Sequence, residues 1–301
     1  MPDVAAVSIR GITKQYGKLR AVNNLNLEVA PGEILGFLGL NGAGKTTTIR
    51  ILLDLLRPTA GKAFVFGHDC QSEGLQARSD IGYLPGEMGI YSDLTGREVL
   101  DLLAGLNRQP VDSKRRCDLQ DRLGLPDSDL RRTLREYSTG MKRKLGLIQA
   151  FQADARLLIL DEPTEGLDPL MQEAFCALLA ETKRRGATVF MSSHVLSEVD
   201  RVCDRIALLR KGELVLLRTV EEIRGVASRR VRVYLAADVP PPELPPGVQM
   251  VETLPHTWTL QVEGFLGPLL ETLRGLPVKD IEVVEARLED VVMRYYRGDN
   301  Q

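Results

Sequence analysis

A glycine-rich loop between a predicted strand and a predicted helix narrows the possible folds of this 301-residue chain more than any other segment. The loop follows the apolar segment 33–38, precedes a predicted helix over 46–56, and fits the spacing G-x-x-x-x-G-K-[ST]. Such glycines let backbone N–H groups surround phosphate oxygens, and the helix N-terminus adds a positive dipole end. We expect Lys45 to reach the β- and γ-phosphates and Thr46 to hold Mg²⁺. A glycine-rich turn without a ligand is the alternative. The predicted nucleoside triphosphate site comprises Gly39, Leu40, Asn41, Gly42, Ala43, Gly44, Lys45, Thr46 and Thr47.

Two acids end a second apolar segment, which spans residues 156–160. At the end of a buried strand, Asp161 can bind Mg²⁺ through water, and Glu162 can polarise an attacking water. Acids at strand ends are also common in parallel sheets that bind nothing. Following a phosphate-binding loop, this pair predicts a hydrolytic centre.

Strand and helix patterns alternate over most of the chain, which predicts an α/β fold with a mostly parallel sheet and helices on both faces. The first thirty residues alternate in the manner of strands, and short strands are predicted over 62–66 and 80–84. The segment 95–152 has a helical pattern and predicts a helical subdomain inserted into the main domain. We assign this domain to residues 4–225.

The remaining residues, 226–301, predict a small accessory α+β domain. It contains a proline-rich loop over 236–247 and a single tryptophan, Trp258, which we expect in a small core. The amphipathic segment 288–296 predicts a helix that covers this core or binds a partner. The predicted strands are 229–235, 248–253 and 257–263, and the predicted helices are 264–275 and 287–297.

Composition argues against several other classes of protein. Lysine and arginine number 39 against 41 aspartates and glutamates, so the basic excess of a general nucleic-acid binder is absent. No segment reaches the roughly 18 apolar residues of a membrane span, and no signal peptide is evident. We interpret the basic run as solvated helix ends and the cysteines as free cytosolic thiols. The basic run comprises Arg131, Arg132, Arg135, Lys142, Arg143 and Lys144. The cysteines are Cys70, Cys117, Cys176 and Cys203.

Four further motifs, together with the phosphate loop, resemble those of ATP-binding cassette (ABC) ATPases. Tyr137-Ser-Thr-Gly-Met141 resembles the family's signature, and Asp161-Glu-Pro-Thr-Glu-Gly-Leu-Asp168 its acidic strand end and D-loop. Ser192-Ser-His194 is similar to the switch histidine, and Tyr16 to the aromatic that stacks on adenine. The resemblance covers residues 4–225, and the C-terminal segment is similar to a small domain of some drug- and antibiotic-export (ABC-2 type) members.

The resemblance implies a P-loop NTPase fold with an antiparallel β subdomain, binding ATP and Mg²⁺. It also implies a head-to-tail dimer in which Ser138, Gly140 and Met141 meet ATP held by the opposite copy. His194 would hydrogen-bond the γ-phosphate and help to hold the water that Glu162 activates, and Asp168 would lie at the dimer seam. Taken alone, these positions have simpler interpretations: a helix cap for Ser138, a packed or exposed histidine, a turn into a helix at Asp168, and a core aromatic for Tyr16.

The sequence departs from the family pattern at two places. Gly86 stands where the family normally carries a glutamine that touches Mg²⁺ and the membrane partner, so either Glu87 or a water would take that role, or the step would be slower than usual. Tyr137, Thr139 and Met141 replace the commonest residues of the signature, while Ser138 and Gly140 remain.

We therefore expect the ATP-hydrolysing subunit of an ABC transporter, most simply a homodimer that powers export through a separate membrane permease. Contact with the permease is expected through the loop 86–91 and the helical subdomain, which would place the chain in the cytoplasm on the inner face of the cell membrane. No nucleic-acid partner is expected. The alternatives are a soluble mechanochemical ATPase acting on ribosomes or DNA, and a P-loop kinase for a small acceptor.

Overall fold

The computed structural model describes residues 4–87, 92–106, 111–226, 229–284 and 288–297. The chain divides into two compact units, Met1–Leu217 and Arg218–Gln301. This division falls inside a strand, whereas the sequence-based boundary after residue 225 falls inside the following helix. The extent of the two domains stays a prediction.

The first unit alternates strands and helices along the chain. Its elements are β1 (Val7–Tyr16), β2 (Leu19–Val29), β3 (Ile34–Gly39), α1 (Lys45–Leu52), β4 (Ala60–Val65), β5 (His68–Asp69), α2 (Gly74–Arg78), β6 (Ile81–Leu84), α3 (Gly96–Ala104), α4 (Ser113–Arg122), α5 (Asp127–Leu130), a 3₁₀ turn (Leu134–Glu136), α6 (Thr139–Gln152), β7 (Leu157–Asp161), α7 (Pro169–Arg184), β8 (Thr188–Ser193), α8 (Leu196–Val202), β9 (Arg205–Arg210) and β10 (Glu213–Thr219).

A six-stranded sheet in the order β10-β9-β3-β8-β7-β6 forms the centre of this unit. β3 pairs in parallel with β8 and β9, and β7 pairs in parallel with β8 and β6. Every residue of β3, β7 and β8 is buried, because helices cover both faces of such a sheet. The carboxyl ends of β3, β7 and β8 lead into the phosphate loop, Glu162 and His194, so all three reach one edge of the sheet.

A second sheet, in the order β2-β1-β4-β5, is antiparallel. It confirms the antiparallel subdomain that the family resemblance implied. The predicted helical segment 95–152 contains α3 to α6, whose first helix begins with a capping box between Thr95 and Glu98. The predicted α/β fold with its helical insertion is therefore confirmed.

The helix predicted over 46–56 is wrong at its C-terminal end. α1 stops at Leu52, and Asp54 adopts the left-handed φ of 54°. The N–H groups of Leu55 and Leu56 turn back to the carbonyl of Arg50, which closes the helix before the Arg57-Pro58 pair is reached.

The second unit is an antiparallel sheet covered on one face by a helix. Its sheet has the order β12-β13-β11-β14, and its core includes Trp258, which is 1% exposed as predicted. β14 was not among the predicted strands. Its elements are α9 (Val220–Val226), β11 (Arg229–Leu235), β12 (Val248–Leu254), β13 (Thr257–Val262), α10 (Gly267–Leu273), β14 (Val278–Val284) and α11 (Leu288–Arg297).

Within the described residues, no helix combines the length and the apolar character that crossing a bilayer requires. The four cysteines are free thiols.

Candidate functional site

The phosphate loop joins the end of β3 to the start of α1, as the sequence predicts. Gly42 and Gly44 have φ of 81° and 110°, a backbone conformation that side chains disfavour. A Cβ at Gly44 would also lie 2.5 Å from the carbonyl oxygen of Ala21. The close approach of Gly44 to Ala21 packs the loop against β2. α1 then begins at Lys45, and its first N–H groups are available to an anion.

Lys45 is 6% exposed and points back along the loop toward the acids. Its Nζ donates to the carbonyl of Gly39 at 2.5 Å and lies 3.1 Å from Oε1 of Glu162. A buried ammonium needs such partners, because an unpaired charge is costly away from water. The loop therefore brings its single lysine within contact of the predicted general base.

Thr46 and Asp161 meet at the same edge. The Thr46 hydroxyl donates to Oδ2 of Asp161 at 3.0 Å, and the Ser192 hydroxyl donates to Oδ1. Asp161 is 1% exposed. One hydroxyl and one carboxylate are ligands that suit Mg²⁺, which usually binds one or two protein carboxylates together with phosphate and water. Among the described residues, no group of three or more acidic, histidine or cysteine side chains is arranged to hold a metal ion.

Glu162 follows Asp161 with a left-handed φ of 51°, which is unusual for a residue with a side chain. Its N–H donates to the carbonyl and hydroxyl oxygens of Ser192. Its carboxylate lies between Lys45, on Oε1, and Nδ1 of His194, at 2.7 Å from Oε2. A carboxylate oriented by a cation and an imidazole can accept a proton from a water molecule beside a bound phosphate.

The signature residues begin a helix. Ser138 is the N-cap of α6, and its hydroxyl accepts from the N–H of Met141 at 3.2 Å. Asp168 caps α7 in the same way, accepting from the N–H of Met171 at 3.0 Å. Both residues therefore have the cap role that the sequence suggests. Both are also exposed, so each side chain is accessible to a second polypeptide. A Cβ at Gly140 would lie 3.1 Å from the carbonyl of Gly166, which makes glycine suitable at this close approach between the signature and the D-loop.

Tyr16 ends β1 with 47% of its surface exposed. The alternative of an aromatic packed in the core is therefore wrong. The Nζ of Lys14 lies 5.1 Å from the ring centroid and also donates to the carbonyl of Arg57. The ring is held from one side and can receive a nucleobase on the other.

Gly86 lies against Asp161, since a Cβ at this position would come 3.3 Å from Oδ2 of that acid. The neighbouring Glu87 is exposed. The rest of the predicted contact loop, 88–91, lies outside the described residues. Which group replaces the family's glutamine therefore stays a prediction.

The sequence interpretation missed two residues around this site. Arg143 belongs to the basic run interpreted as solvated helix ends, but it is 5% exposed, so that interpretation is wrong for it. Its guanidinium donates to the carbonyls of Pro85 and Gly86. The sequence does hold a signal for this burial, because Arg143 lies four and seven positions before Leu147 and Ala150, which is the spacing of one helix face.

Glu198 of α8 is the second missed residue. Its Oε2 accepts from the hydroxyl of Thr164 at 2.6 Å and lies 3.4 Å from the hydroxyl of Ser193. Burial raises the pKa of the Glu198 carboxyl, while these two hydrogen bonds oppose the rise. The side chain joins the turn after Glu162 to the segment that carries His194.

Comparisons with known proteins agree with this geometry. The ABC transporter family model matches residues 22–165. The bacitracin transport ATP-binding protein BcrA of Enterococcus faecalis is 33% identical over 97% of this chain and 96% of its own length. The daunorubicin resistance ATP-binding protein DrrA3 of Streptomyces coeruleorubidus is 38% identical over 76% of this chain and 73% of its own length. An uncharacterised ABC transporter ATP-binding protein of Nostoc is 40% identical over 69% of this chain and 62% of its own length.

Two solved structures share the fold of the first unit. An ATP-binding subunit of an ABC transporter superposes with a TM-score of 0.67 at 29% identity, covering 73% of this chain and 92% of that chain. A dimeric ATP-binding cassette in a post-hydrolysis state, bound to ADP and phosphate, superposes with a TM-score of 0.65 at 23% identity, covering 71% of this chain and 98% of that chain.

Proposed function

Because this chain belongs to the family of ABC transporter ATP-binding proteins, we propose that it hydrolyses ATP between two copies of itself to power an exporter. ATP binding and hydrolysis are the activities of this family of P-loop ATPases. The relatives compared above are ABC transporter ATP-binding proteins, and they give no support to an action on ribosomes or DNA.

The observation that carries the proposal is the position of Glu162 between Lys45 and His194, beside the pair formed by Thr46 and Asp161. Thr46 and Asp161 would hold Mg²⁺, which neutralises charge that develops on the transferred phosphoryl group. The P-loop N–H groups would surround the phosphates. Tyr16 would stack on the adenine.

The Lys45 ammonium has three N–H donors and already contacts the carbonyl of Gly39 and Oε1 of Glu162. We expect the phosphates to draw Lys45 away from Oε1 of Glu162, which leaves that oxygen free to accept a proton from the attacking water. His194, on Oε2, orients the carboxylate and would hydrogen-bond the γ-phosphate.

A second copy would complete each site. The N-terminus of α6, with Ser138, Gly140 and Met141, would meet the ATP held by the opposite copy, because small residues at the positive end of a helix dipole suit an anion, and Asp168 would lie at the seam. Dimerisation of a related cassette fold supports a homodimer with two equal sites.

A separate membrane-spanning permease would engage the helical subdomain and the loop after β6, which places this chain peripherally on the inner face of the membrane. Export is the direction named by the resemblance and supported by two relatives whose names concern bacitracin transport and daunorubicin resistance. The choice of transported compound would belong to the permease.

The proposal is tested by purifying a tagged Glu162→Gln variant with Mg²⁺ and ATP from detergent-solubilised host membranes, followed by mass spectrometry. We expect one polytopic membrane protein in stoichiometric amount. A Lys45→Ala variant, which loses the phosphate contact, is the control for the dependence of the complex on ATP. Recovery of ribosomal or DNA-associated proteins without a membrane partner would contradict the transporter function.

A further inference from the structure

Arg143 is a buried cation in the helix that begins at the signature. It is 5% exposed, lies on α6 and has apolar neighbours in the same helix. Burial lowers the pKa of its guanidinium, but arginine stays protonated at physiological pH. A buried cation requires compensating oxygen atoms, and their identity shows what Arg143 holds in place.

Those oxygens belong to three separate segments at one edge of the parallel sheet. Nη1 donates to the carbonyl of Pro85 at 2.9 Å, and Nη2 donates to the carbonyl of Gly86 at 2.7 Å. Nη1 also lies 3.4 Å from the carbonyl of Asp161, and Nη2 lies 3.7 Å from the carboxylate of Glu165. One side chain of α6 therefore contacts the loop after β6, the end of β7 and the turn after Glu162.

The hydrogen bonds from Arg143 to the loop backbone are important because residue 86 is a glycine and has no side chain of its own to hold the loop in place. Gly86 can be held only through its backbone, and the carbonyl of Gly86 accepts the shortest of the Arg143 hydrogen bonds. The Cα of Gly86 also lies close enough to Asp161 that even a Cβ would approach Oδ2 to 3.3 Å. Arg143 therefore binds the backbone of the loop at the point where the loop lies against the acid.

We propose that Arg143 is a positioning residue for hydrolysis, fixing the Pro85–Gly86 backbone against Asp161 and coupling the loop after β6 to the acid pair. This inference rests on the proposed roles of Asp161 and Glu162. The planar fork of arginine spans two successive carbonyls, whereas a lysine ammonium is a single point of contact, so the two residues are not equivalent here. Removing the fork leaves the half-buried carbonyls of Pro85 and Gly86 without this donor and lets the loop shift away from the acid.

The test compares Arg143→Gln and Arg143→Lys with Lys144→Met as a matched control. Lys144 is the next residue of the same helix, and its Nζ donates to Gly124, away from the acids. Three quantities are measured: kcat and KM for ATP, the equilibrium Kd for a fluorescent ATP analogue with Mg²⁺, and amide hydrogen exchange in residues 81–87.

For Arg143→Gln we expect kcat to fall about tenfold or more, since small misplacements of reacting groups have large effects, while Kd stays within about twofold. Exchange should rise at the amides of residues 86 and 87 and remain unchanged in β7. Arg143→Lys should give an intermediate kcat, and Lys144→Met should match the wild type in all three quantities.

Gly86→Ala provides an independent variant if an Arg143 variant fails to fold. The backbone of Gly86 does not require a positive φ, so alanine is allowed there, but its Cβ presses on Asp161. We expect kcat to fall while Kd changes little, because the same loop-to-acid distance is altered without touching Arg143.

Two results would overturn the inference. The first is a kcat for Arg143→Gln or Gly86→Ala within about twofold of the wild type. The second is a proportional loss of ATP binding with increased exchange across the whole first unit, which would assign Arg143 a role in stability alone. Absence of hydrolysis by the wild-type protein would instead contradict the proposed function, so the two failures are distinguishable.

Discussion

At the scale of single residues, the backbone conformation of Glu162 orients the carboxylate that we expect to act as the general base. A left-handed φ on a residue with a side chain costs about 1–3 kcal/mol, and such strain concentrates at functional sites. Here the turn brings the carboxylate back between Lys45 and His194, while the Glu162 N–H is held by Ser192. The strained conformation is offset by the contacts that orient the predicted general base.

Tyr16 provides a prediction about nucleotide affinity. Tyr16→Ala removes an exposed ring that is held in place by Lys14, and stacking of a base on an aromatic ring contributes about 1–3 kcal/mol. We expect the Kd for ATP to rise about tenfold, measured by equilibrium titration, while Tyr16→Phe retains the wild-type Kd. Equal affinity of the alanine variant and the wild type would show that the ring does not contact the base.

Glu198 provides a prediction about pH. Burial raises the pKa of its carboxyl above the ordinary value near 4.5, so the folded state disfavours the charged form more than the unfolded state does. This destabilisation is absent below pH 4.5 and grows as pH rises through the raised pKa. Relative to the wild type, Glu198→Gln should therefore become more stable in thermal unfolding over the pH range from 4.5 up to the raised pKa. A difference in Tm that stays constant over this range would contradict the raised pKa.

The residues of the site differ in how far the sequence predicts them. Lys45, Thr46 and the acids at 161 and 162 are predictable because local spacing next to a strand and a helix fixes their chemistry. The contacts of Arg143 are not predictable in this way, since its partner Gly86 lies 57 positions away and the surrounding basic run is typical of a solvated helix. Ser192 likewise reaches Asp161 only because β7 and β8 are neighbours in the sheet.

At the scale of elements, helix N-termini carry much of the proposed chemistry. α1 would present N–H groups to the phosphates, and α6 and α7 begin at exposed caps, Ser138 and Asp168. An N-cap stabilises its helix by about 1 kcal/mol. A cap that also contacts the nucleotide of a partner copy therefore has two roles, in helix stability and in ATP hydrolysis, and these can be measured separately.

Substituting Ser138 and Thr95 separates these roles. Ser138→Ala and Thr95→Ala each remove a side-chain oxygen that caps a helix, and each should lower the free energy of unfolding by about 1 kcal/mol. Only Ser138→Ala should also lower ATP hydrolysis, because Thr95 caps α3 and belongs to no predicted ATP contact. Comparable hydrolysis by the two variants would mean that Ser138 is a cap and nothing more.

The ends of elements and the edges of sheets are where sequence patterns were least informative. α1 ends early because Asp54 adopts a left-handed conformation that the apolar run 51–56 does not signal. β14 was missed because its half-buried residues, Val278, Ile281 and Val284, are spaced by three and hide the alternation of a strand. It is recognised as a strand only through its pairing with β11.

At the scale of the whole molecule, the two units have separate hydrophobic cores. One core is built from residues of the first unit, including Phe37 and Phe190, and the other surrounds Trp258. All of the predicted nucleotide contacts of this chain lie in the first unit. The sole tryptophan therefore reports on the unit that does not hold the nucleotide.

This arrangement predicts that ATP stabilises one unit selectively. In the Glu162→Gln background, Mg²⁺-ATP at about 100 times its Kd should stabilise the first unit by about 2.7 kcal/mol through linkage. Calorimetry should show an upward shift of one unfolding transition, whereas the transition followed by Trp258 fluorescence should stay in place. An equal shift of both transitions would indicate that the two units unfold together.

We expect Glu162 to activate the water that cleaves ATP, and hydrolysis to depend on this residue more than on any other. The most direct measurement compares steady-state ATP hydrolysis and equilibrium ATP binding in the wild type and in Glu162→Gln. The geometry predicts that hydrolysis falls by a factor of about 10² or more while the Kd for ATP is retained, because the substitution removes the proton acceptor and leaves the phosphate loop intact. Undiminished hydrolysis in Glu162→Gln, at unchanged ATP affinity, would contradict that claim.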